Sequence, residues 1–175
     1  MSNWWTEIVG VTLLWFSAWW GVVAPASPTE PVTEPSISAE RTTHQVQYVI
    51  DGDTIVLANG EHVRLLGIDT PERNECYYET ASVFLRTWIE GQSVQIESDV
   101  RNRDQYGRLL RYIYSATLPD GTATTTLQLV NQTLLERGYA TILPIGEDRR
   151  YRTEFYNSYD TARAAERGRW SACQK

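Results

Sequence analysis

Asp51, Asp53, Asp69 and Glu72, with Arg64 between the two pairs, are the side chains whose types and spacing suit chemistry in this 175-residue chain. All five fall within residues 48–72, YVIDGDTIVLANGEHVRLLGIDTPE. Carboxylate oxygens suit a hard cation such as calcium, and a guanidinium beside them suits a phosphate. Hydrolysing a phosphodiester requires charge neutralisation on the phosphate, an oriented water and a group that accepts the water's proton. Asp53 and Asp69 can supply anionic oxygens, the Thr70 carbonyl a neutral one, and water the rest of a calcium shell. Glu72 is near enough in sequence to contact a water in that shell. Arg64 and Arg108 are candidates to pair with phosphate oxygens as charge develops, a role worth ~3 kcal/mol per donor.

Each motif alone has a plainer reading. Asp51-Gly52-Asp53 is more often a turn than a metal site, because Asp and Gly favour turns for backbone reasons. Asp69-Thr70-Pro71-Glu72 reads equally as the cap of an entering helix. Arg64 in a regular strand would face away from Asp69 unless Gly67 introduces a bulge. The joint appearance of all these residues around one hairpin raises the functional reading. Competing motifs fail: Asp51 to Ile55 lacks the EF-hand spacing, and the chain has no G-x-S-x-G, H-E-x-x-H or Walker loop. The two histidines, His44 and His62, fall at polar positions of strands, which speaks against histidine-based chemistry.

The elements that must position these residues follow from hydrophobic periodicity. Apolar runs at 55–57 and 63–68 around Asn59-Gly60 predict a β-hairpin. HQVQYVI, from His44, alternates through Val46, Tyr48 and Ile50 and predicts a preceding strand. Ala81, Phe84, Leu85, Trp88 and Ile89 predict a helix ending at Gly91. Strands at 93–98 and 108–115 follow, with polar turns at 101–107 and 118–122. Leu127, Val130, Leu134 and Leu135 predict a second helix closed by Gly138, and Tyr151, Phe155, Tyr159 and Ala162 a third from about Asp148 to Arg167. The fold class is therefore α+β, mainly β: a five-stranded OB-type barrel with three helices.

Charge bounds the choice of partner. A net charge of −6 and a pI near 5.0 exclude holding nucleic acid by bulk attraction, so any phosphate binding is local. Arginine dominates the basic residues, and its planar fork grips phosphate oxygens in pairs, although surface ion pairing explains most of them. Residues 8–24, IVGVTLLWFSAWWGVVA, form an uncharged apolar run before Ala24-Pro25-Ala26, so residues 1–26 read as a signal peptide or an N-terminal membrane anchor. A retained run would give membrane association. Residues 27–43 read as a disordered Pro/Ser/Thr/Glu linker and 44–175 as the folded domain. Cys76 and Cys173 form an even pair in a chain that reads as exported, which favours a disulfide over two buried thiols. It would close a loop of about 98 residues and stabilise by roughly 4 to 5 kcal/mol in the chain-entropy model.

The strings VIDGDT, RLLGIDTPE and RDQYGRLLRYIY, in this order and spacing, resemble the staphylococcal-type thermonucleases, calcium-dependent nucleases of the OB-fold. The likeness runs from about Val46 to Trp170. It implies calcium as cofactor, with Asp53, Asp69 and the carbonyl of Thr70 as ligands, and Arg64, Glu72 and Arg108 as catalytic residues. Glu72 would act as general base or water-positioner. Asp51 matches an acidic position behind the ligands, and Tyr106 a tyrosine near the substrate phosphate. The likeness further implies DNA and RNA as substrates and 3′-phosphate products; a monomer is expected, and the apolar N-terminal run gives an extracytoplasmic site of action, secreted or membrane-tethered. Two departures stand out: the domain carries one lysine, Lys175, where the type enzyme is lysine-rich, and ATILPIG, with Pro144, stands where a base-stacking tyrosine is expected. The alternatives are a catalytically silent OB module binding single strands through Tyr77, Tyr78, Tyr112 and Tyr114, and a tethered structural domain.

Overall fold

Short β-branched stretches separated by polar turns become strands from Thr42 onward. A computed structural model describes residues 40–143 and 146–173. The expectations for the apolar run at 8–24, nearly all of the linker, and Pro144 lie outside the described residues. The strands are β1 (Thr42–Val49), β2 (Thr54–Leu57), β3 (His62–Leu65), β4 (Ile68–Asp69), β5 (Ser93–Glu97), β6 (Leu109–Thr117), β7 (Ala123–Leu129) and β8 (Thr141–Ile142). The helices are α1 (Tyr78–Ile89), α2 (Val130–Glu136), α3 (Arg152–Ala164) and α4 (Arg169–Ala172).

The order β3-β2-β1-β5-β6 closes on itself because β6 also pairs β3, in parallel, giving a five-stranded mixed barrel with β7 added beyond β6. Val46, Ile55, Leu57, Val63, Leu65 and Ile113 are fully buried inside it. The closure matters for the site. Thr54 pairs with Arg64 across the β2–β3 hairpin, and Arg64 pairs with Leu110 across the parallel seam. Residues far apart in sequence thus become neighbours at one barrel end.

Several expectations change in detail. β1 begins at Thr42, ahead of His44, and has one extra residue between Val46 and Tyr48 relative to β2. That bulge moves the buried position to Val49 and leaves Tyr48 and Ile50 exposed, so the simple alternation breaks. Leu127 belongs to β7 and not to the second helix, which starts at Val130. The run Thr122 to Thr126 was the β signal, masked by leucines at helical spacing. LPDGT, expected as a turn, joins β6 to β7, with Leu118 accepting from Gly121 N–H. The third helix is shorter than expected, and a single turn, α4, follows Gly168 to make four helices among the described residues.

The approach to α3 is pinned by a buried carboxylate. Glu97, 1% exposed, accepts from Arg41 Nε at 2.7 Å, Arg150 Nη1 at 2.6 Å and Tyr114 Oη at 2.9 Å. Such a cluster holds because every oxygen is paired. Arg41 comes from the stretch expected to be linker. Asn131, fully buried, donates to the Leu66 carbonyl and accepts from Ile113 N–H, fixing α2 to the barrel.

Candidate active site

The acidic residues are set by two close backbone approaches. A Cβ at Gly52 would lie 2.7 Å from Thr70 Oγ1, so only glycine lets the loop before β2 rest on Thr70. Asp53 is carried against Thr70 as a result: its Oδ2 accepts from Thr70 N–H and Oγ1, each at 2.8 Å. Its Oδ1 accepts from Thr54 Oγ1 at 3.1 Å and pairs with Arg64 Nε at 3.1 Å. Gly67 has φ +77°, which turns the chain sharply between β3 and β4. Through that turn Arg64 reaches Asp69, Nη2 to Oδ1 at 2.9 Å, while Nη1 donates to the carbonyls of Leu65 and Ile68. The short β4–β8 ribbon, Asp69 opposite Thr141, holds the far side.

Arg108 arrives from the start of β6. Its Nε donates to Asp104 Oδ2 at 2.7 Å, and Nη1 lies 3.5 Å from Thr54 Oγ1. Asp104 Oδ1 accepts the backbone N–H groups of Tyr106 and Arg108. Burial alone would raise the Asp104 carboxyl, but the Arg108 guanidinium and these N–H groups hold it below the usual range. Tyr106 is 74% exposed, its ring 5.4 Å from the Arg108 guanidinium. Glu72 is exposed; its N–H donates to Glu75, and among the described residues its carboxylate has no hydrogen-bond or ion-pair partner.

One cleft of about 580 Å³ brings together Asp51, Asp53, Asp69, Glu72, Arg64 and Arg108, with Tyr106 at its edge. Thr70 lies behind it through Asp53. The cleft also contains Arg101, Arg103 and Asp104, which sequence reading passed over as a polar turn. Arg103 forms a bidentate pair with Glu61, 2.8 Å on both nitrogens, and Arg101 pairs with Asp148. Asp104-x-x-Gly107 was the available signal for the turn that clamps Arg108. The cleft thus holds four arginines, which answers the requirement that phosphate binding in an acidic chain be local.

The donor set fits a hard cation. Burial raises the Asp69 carboxyl, Arg64 opposes this, and the Asp53 charge adds to it. Burial, then the Asp53 charge, raises the Asp51 carboxyl as well. Arg64 pairs with two of these carboxylates, Asp53 and Asp69, and Asp51 has no ion pair among the described residues, so the excess negative charge favours a nearby cation. Among the described residues no group of three Asp, Glu, His or Cys side chains is arranged to hold a metal ion. Two of these carboxylates with water could form an irregular oxygen shell for a hard cation.

Residues 62–172 match the family described as staphylococcal nuclease homologue. This chain belongs to that family. Among its relatives, the chain is 36% identical over 93 residues to the thermonuclease of Staphylococcus intermedius, covering 48% of this chain and 55% of that protein. It is 36% identical over 133 residues to Endonuclease YncB of Bacillus subtilis, covering 70% and 58%. An uncharacterized endonuclease of Escherichia coli O157:H7 is 30% identical over 140 residues, covering 73% of this chain and 76% of its own length. The chain thus spans about half the length of the thermonucleases it matches.

Cys76 and Cys173 are joined by a disulfide, as expected, four residues beyond Glu72. Of the four rings of the silent-module reading, Tyr77 and Tyr78 stay half-buried and the other two are covered. Tyr112 and Tyr114 are 2% and 5% exposed, and Tyr77 packs on Tyr139 with centroids 5.6 Å apart. Buried rings offer no face to a base. Among the described residues no helix is long and apolar enough to cross a membrane.

Proposed function

We propose that this chain is a calcium-dependent endonuclease that hydrolyses phosphodiester bonds of DNA and RNA and leaves 3′-phosphate ends. The observation that carries the reading is the convergence of Arg64 and Arg108 on the Asp53 and Asp69 carboxylates, with the unpartnered Glu72 carboxylate in the same cleft. Calcium, held by Asp53, Asp69 and the Thr70 carbonyl, would supply positive charge opposite the phosphate and orient water. Glu72 accepts or orients the proton of the attacking water. The water oxygen bonds to phosphorus as the bond from phosphorus to the 5′ oxygen breaks; the 5′ oxygen leaves with that electron pair and takes a proton from solvent, and the phosphate stays on the 3′ side. Arg108, aimed by Asp104, donates to a phosphate oxygen. Arg64 is anchored through Nη1, and its Nε and Nη2 bind phosphate in competition with Asp53 and Asp69. Asp51 adds negative charge behind the ligands, and Tyr106 donates at the cleft edge.

The disulfide supports an oxidising compartment. The protein acts outside the cytoplasm, secreted or tethered through residues 8–24, and as a monomer.

Closed circles of single-stranded DNA and RNA test the reading, because only internal cleavage opens them. With calcium, both circles are cut, and the new 3′ ends resist extension until a phosphatase has acted. Intact circles, or ends extendable at once, would overturn it.

The Asp104 clamp gives a second expectation. Asp104→Asn lowers turnover of a labelled oligonucleotide about tenfold, the equivalent of roughly 1.4 kcal/mol. The carboxyl is depressed, so the clamp is intact above the ordinary carboxylate range and is lost only as pH falls below it. The deficit is therefore equal at pH 7 and pH 9. A deficit that changes between those two values would contradict this.

A further inference from the structure

A second recess of about 260 Å³ lies beside the cleft, and Leu143 lines both. Its floor includes Tyr112 and Phe155, buried rings with centroids 6.0 Å apart. Its rim carries Arg149, Arg152 and Tyr156, all exposed. Arg152 stands 5.7 Å from the centre of the Tyr156 ring, and Arg149 donates its Nε to the Gly146 carbonyl. Among the described residues neither guanidinium pairs with a carboxylate. The recess has one acid, Asp148, and Arg101 occupies both of its oxygens, through N and Nε at 2.8 Å each. Arg101 itself lines the cleft, so this ion pair is part of the wall between the two spaces.

An apolar floor, an exposed tyrosine and two guanidinium groups that no carboxylate neutralises together match one chemical unit, a nucleobase with its phosphate. The exposed ring of Tyr156 offers a face on which any base can stack, the buried floor adds only apolar contact beneath it, and the fork of arginine pairs phosphate oxygens. Continuity through Leu143 fixes which nucleotide this is. The geometry points to a subsite for the nucleotide adjacent to the one in the cleft, on a single-stranded nucleic acid whose backbone passes over Leu143. The inference rests on the nuclease reading for the position of the strand, and adds where the strand continues. It also gives this acidic protein a local anchor for single strands, since a base must leave its duplex to enter the recess. Arg150, between the two arginines in sequence, is turned away to Glu97 and takes no part.

The full chain, its Arg149→Gln/Arg152→Gln variant and its Tyr156→Ala variant are compared on a single-stranded octanucleotide and on a dinucleotide with one phosphodiester. All three substituted residues are exposed, so the fold is retained. Each variant is expected to raise KM for the octanucleotide about tenfold, the loss of one stacked or paired nucleotide, with kcat changed less than twofold. The dinucleotide is processed as by the unaltered chain. A control, Arg86→Gln/Arg163→Gln, removes two arginines outside both spaces and changes neither substrate by more than twofold. Equal losses on both substrates, no change on the octanucleotide, or an equal loss in the control would overturn the subsite. Fluorescence anisotropy with a labelled octanucleotide in chelator reads the same contacts without turnover. If the unaltered chain cuts neither substrate, the nuclease reading falls. Binding about tenfold weaker in the variants then still supports the recess, and equal binding overturns it.

Discussion

Glu72→Gln is expected to lower turnover by at least about a hundredfold, with calcium and oligonucleotide affinity changed less than twofold. Glutamine keeps the size and leaves the chain's other contacts intact, because the Glu72 carboxylate has no partner among the described residues and only its backbone is engaged, N–H and carbonyl both to Glu75. The fold has no stake in this side chain, so a loss would report on proton transfer and water placement alone. By contrast, substituting Asp53 removes contacts to Thr54, Arg64 and Thr70 together and mixes stability with catalysis. Single-turnover cleavage and calorimetric titration with calcium separate the two effects. Turnover surviving within tenfold would mean that another group accepts the proton.

Reducing the disulfide, or replacing both cysteines by serine, is expected to destabilise the domain by about 4 kcal/mol and lower its melting temperature by roughly 10 to 20 °C. The crosslinked residues are 97 positions apart, so the constraint removes much of the freedom of the unfolded chain. It also ties α4 beside the segment that follows Glu72. Arg169 N–H bonds the Gly138 carbonyl, so the clamp extends to the end of α2. Thermal melts with and without reductant measure it, and a shift below 3 °C would show that the C-terminal turn is held by its packing alone. Activity near 20 °C should persist in the reduced protein, since no site residue belongs to the clamped tail.

The barrel was legible because its strands carry period-two or continuous apolar patterns, and the hairpin turn Asn59-Gly60 marks the register. The second helix was misjudged at its start because Leu127 and Val130 are three apart whether or not the chain is helical. Two-residue strands such as β4 and β8 leave no periodicity to read. The candidate site was legible as a set of residue types, in that Asp53, Asp69, Glu72, Arg64 and Arg108 line one cleft. How Arg64 reaches Asp69 was legible only as a condition on Gly67, and a turn with positive φ there, in place of a bulge, meets it. Asp104 could have been found from its turn. The Arg101–Asp148 pair could not, because its partners are 47 residues apart and only barrel closure and the α3 approach bring them together. The buried Tyr112 and Tyr114 show the same limit, for alternation identifies a strand face without saying whether a helix covers it.

The central claim is that a cation held by Asp53, Asp69 and the Thr70 carbonyl is needed for phosphodiester cleavage in this cleft. Release of acid-soluble nucleotides from single-stranded DNA by the full chain, measured with calcium, then with excess chelator, then with calcium restored, tests it most directly. Release is expected with calcium, loss of release in chelator, and full recovery on restoring calcium. Release that continues unchanged in chelator, or none under any condition, would contradict it.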